Sequence, residues 1–259
     1  MVIFKNTSRF YSRNSAGKFQ LDVDEIRAAF ALSDTIRERI QSFRTERLSS
    51  ILADEAPVLL PEGGKLIFHI VPFTAFDVTK IVDISDLHDK TTKYEPLRSN
   101  GWNHRYNFDG FLTYSSYRDT GKSYTYLQVF RNGSIEAVLS LVHQADRAPT
   151  IPSTTIEAKL IGALPRFLQN QMELGVVPPL LLMLSFLDVK GYILGISQNF
   201  WGADIHPIDR DALIIPEVLL ESFDVDAAKV LQPTFNALWN AAGVSRSLNY
   251  DSQGNWNPP

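Results

Sequence analysis

The chain contains no cysteine. Disulfides, thiolate nucleophiles and cysteine-based zinc sites are excluded together, and the absence suits a reducing compartment without demanding one. Histidine is scarce, five in 259 residues. No His-x-His or His-Glu-x-x-His spacing occurs, so no metal site is read from the sequence. Long apolar runs are missing too. The most apolar stretch, Leu180 to Leu187, is eight residues long, against the roughly 20 that a membrane-spanning helix needs. The first residues, Met1-Val2-Ile3-Phe4-Lys5-Asn6-Thr7, carry no apolar segment of signal-peptide length. The net charge is only −4, which gives no global pull toward nucleic acid or anionic membrane. These absences point to a soluble, cytoplasmic protein with no membrane partner.

Nucleotide and hydrolase motifs are also lacking. Glu62-Gly63-Gly64-Lys65 has a partial likeness to a phosphate loop. It lacks the first glycine and the following Ser or Thr, and it precedes a predicted strand rather than a helix. Gly195-Ile196-Ser197-Gln198-Asn199 is not a nucleophile elbow, because its second glycine is replaced. No glycine-rich dinucleotide fingerprint occurs. The cofactor is left unassigned.

What is present is an apolar fraction of 44%, enough to bury a core in one large domain or two small ones. Val2 to Phe4 and Arg9 to Tyr11 read as extended, with a polar turn from Arg13 to Lys18. A strand there has no obvious partner nearby and would be an exposed edge. Asp22, with Glu25 three residues later, forms a capping box that opens a helix running to about Ala53, with Ser33-Asp34 able to cap a second one. Pro57, Pro61 and Gly63-Gly64 mark a linker. Leu66 to Val71, ended by Pro72, reads as a buried strand. Residues 77–107 are irregular, and Phe108 to Tyr114 reads as a strand. Asn132-Gly133 between Tyr124–Phe130 and Ile135–Leu141 predicts a β-hairpin.

A helix follows from about Thr155 to Leu174, with Pro165 predicting a kink. Leu180–Leu187 and Tyr192–Ser197 read as a second hairpin, and Ala212–Leu220 as a third strand. A helix from about Val225 to Ala242 contains Pro233 and ends at Gly243, a natural C-cap. The fold class expected is α+β: mostly antiparallel sheet with helices packed on one face, an amino-terminal helical arm, and two β-β-β-α blocks that a duplication would produce. Residues 244–259 are polar and expected to form a flexible tail.

Arg9-Phe10-Tyr11-Ser12-Arg13-Asn14-Ser15-Ala16-Gly17-Lys18 and the helix from Leu21 to Phe30 resemble a junction in bacterial ATP-binding proteins with a Schlafen AlbA-type, DNA-binding domain. Gly101-Trp102-Asn103-His104-Arg105-Tyr106-Asn107-Phe108-Asp109-Gly110 is similar to a later stretch of the same family. The resemblance implies that residues 1–20 are the terminal strand and turn of an AlbA-like domain, 21–56 a helical arm, and 65–243 an accompanying α+β domain. The implied partner is an AlbA-like domain, in cis or in trans, at the amino-terminal strand. The family's ATP-binding label attaches to no residue of this chain.

Two groups of side chains stand out as candidate sites. On a helical wheel of residues 36–51, Ile36, Ile40, Phe43 and Ile51 share an arc, with Arg47 near its middle and Arg37 and Arg44 at its margin. An arginine on an apolar face needs a partner. Arg44 and Arg47 would reach a phosphate or a nucleic-acid backbone, or form a structural ion pair, and the second is favoured. In the 102–110 segment, Trp102 and Tyr106 would stack on a ligand ring while Asn103 and Asn107 bond it. The competing reading is a connection over the sheet edge whose polar groups satisfy turns, and it is favoured.

His69, alternating in an apolar strand, reads as a satisfied core histidine. The function favoured is non-catalytic: ligand sensing, regulation or assembly beside an AlbA-type module, with a homo-oligomer allowed. The alternative is a nuclease or nucleotide hydrolase. It would use His104 as acid or base, Arg105 as charge stabiliser and Asp109 nearby, and it requires His104 and Asp109 to line one pocket. A weaker third idea is nucleic-acid binding by Arg9, Arg13, Lys18, Arg37, Arg44 and Arg47.

Overall fold

The structure, a computed structural model, describes residues 11–14, 17–20, 23–116, 120–142, 148–196 and 204–258, with side chains from residue 34 onward. The expected strand at Val2–Phe4, the Asp22 cap and the side chains of Arg9, Arg13 and Lys18 lie outside the described residues. The chain divides into two compact units, residues 1–45 and 46–259.

In the first unit, β1 (Tyr11–Asn14) pairs antiparallel with β2 (Gly17–Gln20), Tyr11 opposite Gln20 and Asn14 opposite Gly17. Of the strand expected at Arg9–Tyr11 only Tyr11 is among the described residues; it begins β1, and the pairing with β2 runs through residues read from sequence as a polar turn. The helix α1 runs unbroken over Val23–Leu52. Ser33 and Asp34 do not divide it, since a capping side chain is tolerated inside a helix whose ladder continues on both sides.

The second unit is built on one eight-stranded sheet. Its strands are β3 (Lys65–Pro72), β4 (Asn103–Tyr106), β5 (Gly110–Ser116), β6 (Ser123–Phe130), β7 (Ile135–Ser140), β9 (Leu180–Leu187), β11 (Leu213–Ile214) and β12 (Val218–Leu220). The order is β11-β9-β3-β7-β6-β5-β4, with β12 also on β9, and every adjacent pair is antiparallel. β3 and β9 are buried along their whole length, which is why their sequences read as near-continuous apolar runs. The β6–β7 hairpin turns at Asn132-Gly133 as predicted. Gly133 has φ +81°, and a Cβ there would lie 2.6 Å from Val176. The Asn132 side chain accepts the Ser134 amide at 3.0 Å.

The second expected hairpin does not form. β9 lies between β3 on one side and β11 and β12 on the other. β10 (Ile193–Gly195) instead pairs in parallel with β8 (Thr150–Pro152). A strand buried on both faces needs a ladder on both edges, and β3 supplies the longer one. The single strand expected over residues 212–220 is split into β11 and β12. Pro216, which has no amide to donate, lies between them. These late strands complete the same sheet as β3–β7, whereas the sequence pattern predicts two β-β-β-α blocks.

Both faces of the sheet are covered. α2 (Ser153–Glu173) and α3 (Ala227–Ala241) pack on the face carrying Leu66, Phe68 and Ile70. Leu48 and Ile51, from the end of α1, pack on the face carrying Ile67, Tyr126 and Val138. Helices on one face alone was thus too simple. α2 runs through Pro165 and α3 through Pro233. Asp226 caps α3 through the amides of Ala228 and Lys229 at 3.0 and 3.2 Å, and Gly243, φ +86°, ends it.

The tail is a further correction. Ser247, Asn249 and Tyr250 are buried, and Tyr250 bridges Trp256. Ser247, Asn249 and Trp256 bond the buried carboxylate of Glu157, while Ser245, Arg246, Ser252, Gln253, Asn255 and Asn257 face solvent. Among the described residues, no helix is long and apolar enough to cross a membrane.

Candidate functional site

The 102–110 segment is an ordered edge hairpin, not an open loop. Asn103–Tyr106 form β4, paired with β5. Trp102 Nε1 donates to Thr91 O at 3.2 Å. Tyr106 Oη lies 2.6 Å from Ser85 O and 3.0 Å from Ile84 O. Asn107 Nδ2 donates to Gln128 Oε1 at 2.7 Å, and Asn107 Oδ1 accepts the Gly110 amide at 2.8 Å. Arg105 donates to Pro57 O at 2.6 Å with its guanidinium over Tyr114. Asn103 is exposed.

His104 Nε2 lies 2.9 Å from His88 Nδ1, and its ring is tilted against Phe111, which belongs to the α2–α3 face of the core. Asp109 lies instead within electrostatic reach of Arg47, toward the other face. The sequence-predicted acid, base and stabiliser are therefore near in sequence but do not converge on one pocket.

Arg44 is buried. Arg47 meets a carboxylate that sequence reading missed. Its Nε and Nη2 donate to Glu136 Oε2 and Oε1 at 3.0 and 2.9 Å. Tyr126 Oη donates to Oε1 at 2.8 Å, and His69 Nε2 lies 2.8 Å from Oε2. Since an ionised carboxylate only accepts, that histidine nitrogen carries the proton. Glu136 is 0% exposed. Burial by itself would push its carboxyl up, but hydrogen bonds from His69 and Arg47 outweigh this and hold it at about 2, from 4.5 ordinarily. Burial alone would lower Arg47, yet its bonds to Glu136 raise it above the usual arginine range. Burial, then the Glu136 charge, pushes Tyr126 well up. The one signal in the sequence was a glutamate inside the apolar run Ile135–Leu141.

A folded-state value below the unfolded one contributes stability that is complete above about pH 4.5 and lost as the pH falls toward 2. Acid titration followed by circular dichroism should lose structure in that window. Glu136→Gln should be less stable at neutral pH and show a flatter acid limb; an identical acid limb in both proteins would rule this origin out.

The concave surface lies elsewhere, where the end of β7, β8, the start of α2 and the loop before β4 meet. Two adjoining cavities of about 400 and 420 Å³ share Arg98, Leu139, Val142 and Lys159, within the size range of small-molecule sites. Leu141 and Ile156 give the first an apolar floor. Asn100, Tyr124 and Ser140 make the second polar. Ile156 and Lys159 lie one turn apart on the same side of α2.

The chain fixes this arrangement locally. Ser99 Oγ bonds Ser115 Oγ and Gly101 O, tying the Arg98 loop to β5. Arg98 itself has φ +54°, a left-handed conformation that costs a non-glycine residue roughly 1–2 kcal/mol. Pro152 precedes α2 without a side-chain cap, and Ser153 Oγ bonds Gly195 O instead. The first amides of α2 thus keep their partial positive charge.

Two features mark this groove electrostatically. Arg98 and Lys159 are exposed and have no ion-pair or hydrogen-bond partner among the described residues, whereas Arg166 nearby is paired with Glu95 at 3.1 Å. Ser140, 4% exposed, ends β7 beside them, its buried hydroxyl turned to the face opposite Leu139 and Leu141 and without a hydrogen-bond partner among the described residues. Such groups are rare in folded proteins. None of Arg98, Ser140 and Lys159 was singled out from sequence. Lys and Arg at a surface and one Ser ending a strand carry no local signature, and only the fold brings them together. No group of three or more His, Asp or Glu able to hold a metal occurs among the described residues. Compared with protein-family models, with curated proteins and with solved structures, the chain matches none of them.

Proposed function

We propose that this chain is a non-catalytic ligand-sensing domain, regulating or assembling with an AlbA-type module, and that its ligand site is the groove between Arg98 and Lys159. The observation that carries this reading is two exposed cations, without an ion-pair partner among the described residues, lining a cavity with an apolar floor. A surface cation gains little by itself, but one set at the rim of a low-dielectric cavity is placed to attract an anion. The link to an AlbA-type module is supported by the resemblance at Arg9–Lys18. It is also supported by the β1–β2 hairpin, a two-stranded unit of marginal stability alone that strand addition would extend.

A thermal-shift screen of small organic anions tests the site. Compounds that raise the unfolding temperature of the wild-type chain should lose that effect in the Arg98→Ala/Lys159→Ala double variant. The unliganded stability of the variant should stay within about 0.5 kcal/mol per substitution, as for ordinary surface changes. Anion stabilisation that persists in the double variant would place the site elsewhere.

A further inference from the structure

We infer that the ligand of this groove is an amphipathic organic anion, with one carboxylate or phosphate-ester head and an unbranched hydrocarbon body. This inference rests on the groove being the ligand site and goes on to name the chemistry it selects. Its two cavities differ in character and meet at Arg98 and Lys159. The apolar one offers Leu139, Leu141, Val142 and Ile156. Leu139, Leu141 and Ile156 are anchored in the core, while Val142 is 50% exposed, a large apolar surface left to water at the cavity wall. The polar one is lined by Asn100 and Tyr124 beside the two cations. A head would be held between guanidinium and ammonium, while the body covers the apolar floor.

Neither half alone explains both features. A purely apolar ligand would leave two cations desolvated and unpaired, and a small inorganic anion would leave Val142 and the floor in water. A polyphosphate fits less well. Two cations are too few to balance the several charges such a ligand carries.

Isothermal titration calorimetry on the full chain can decide, with octanoate, octyl phosphate, octanol, acetate and inorganic phosphate as probes. Octanoate or octyl phosphate should bind, and whichever is tighter identifies the head. Octanol should bind at least about tenfold more weakly for want of the charge-assisted bonds. Acetate and inorganic phosphate should bind at least about a hundredfold more weakly for want of buried methylenes. Arg98→Met and Lys159→Met should each weaken the amphiphile about tenfold, and Val142→Asn should weaken it while sparing the head.

Octanol binding as tightly as octanoate would overturn the inferred head, and inorganic phosphate binding as tightly as octyl phosphate would overturn the inferred body. In both cases, loss of that binding in the Arg98→Ala/Lys159→Ala variant would leave the groove standing as a site. Amphiphile binding unchanged in that double variant would instead remove the groove itself, and the inference with it.

Discussion

Arg47→Ala should destabilise the protein by about 3–5 kcal/mol, the range found when one partner of a buried ion pair is removed. The reason lies in what remains. Glu136 stays fully buried and keeps only His69 and Tyr126 as donors, having lost both bonds from the guanidinium. The alternative route, removing both charges, should cost much less. In Arg47→Met/Glu136→Leu no charge is stranded, the site lies against the apolar cluster of Ile67, Tyr126 and Val138, and the remaining cost is that of the Tyr126 and His69 donors left without Glu136. A double-mutant cycle by urea unfolding would therefore give a coupling of several kcal/mol between the two positions. If Arg47→Ala costs less than about 1 kcal/mol, the pair behaves as a surface salt bridge and the account given for Glu136 fails. The same experiment bears on Arg47 as a ligand contact. A guanidinium spent on Glu136 from both Nε and Nη2 is committed to the fold, not offered to a phosphate.

Glu157→Gln should have an effect of similar size for a different reason. Glu157 is 0% exposed and its two oxygens accept four hydrogen bonds. Oε1 receives Trp239 Nε1 at 2.8 Å and Ser247 Oγ at 2.9 Å. Oε2 receives Asn249 Nδ2 at 3.0 Å and Trp256 Nε1 at 2.9 Å. All four donors are neutral, so the residue acts as a saturated acceptor that ties α2, α3 and the last residues together. Glutamine is nearly the same shape but turns one oxygen into a donor. With the amide nitrogen toward Asn249 and Trp256 two donors lose their acceptor; turned toward Trp239 and Ser247, the indole loses its acceptor while the hydroxyl can rotate to accept.

At about 1.5–3 kcal/mol for each bond to a charged group, the loss is a large share of the roughly 5–15 kcal/mol that holds an ordinary domain. Limited proteolysis should cut residues 245–258 readily in the variant and slowly in the wild type. Tryptophan emission should shift to the red as Trp239 and Trp256 meet water. A variant with wild-type melting temperature and a protected tail would show that the carboxylate is not what holds this segment.

Both predictions concern residues whose importance is invisible locally. Glu136 and Glu157 each interrupt an apolar pattern, and the partners that justify them are 89 residues from Glu136 in the case of Arg47 and 99 from Glu157 in the case of Trp256. The groove has the same origin. Its walls come from residues 98–100, 139–142, 148–152 and 155–159, stretches that share no motif. The candidates chosen from sequence were drawn instead to the densest polar and aromatic cluster, 102–110, whose side chains are largely bonded within the fold.

By itself the sequence determined what depends on a few neighbouring residues. The α+β class, the Asn132-Gly133 hairpin, the buried runs of β3 and β9, and the end of α3 at Gly243 all follow from side-chain periodicity and turn chemistry. Tertiary structure decided everything that required distant segments to choose among partners: the neighbours of β9, the covering of both sheet faces, the docked tail, the Arg47–Glu136 pair and the groove at Arg98 and Lys159. The physical reason is that periodicity identifies which face of an element seeks burial but not which surface it will meet. That choice is made by packing and by the need to satisfy every buried polar group at once.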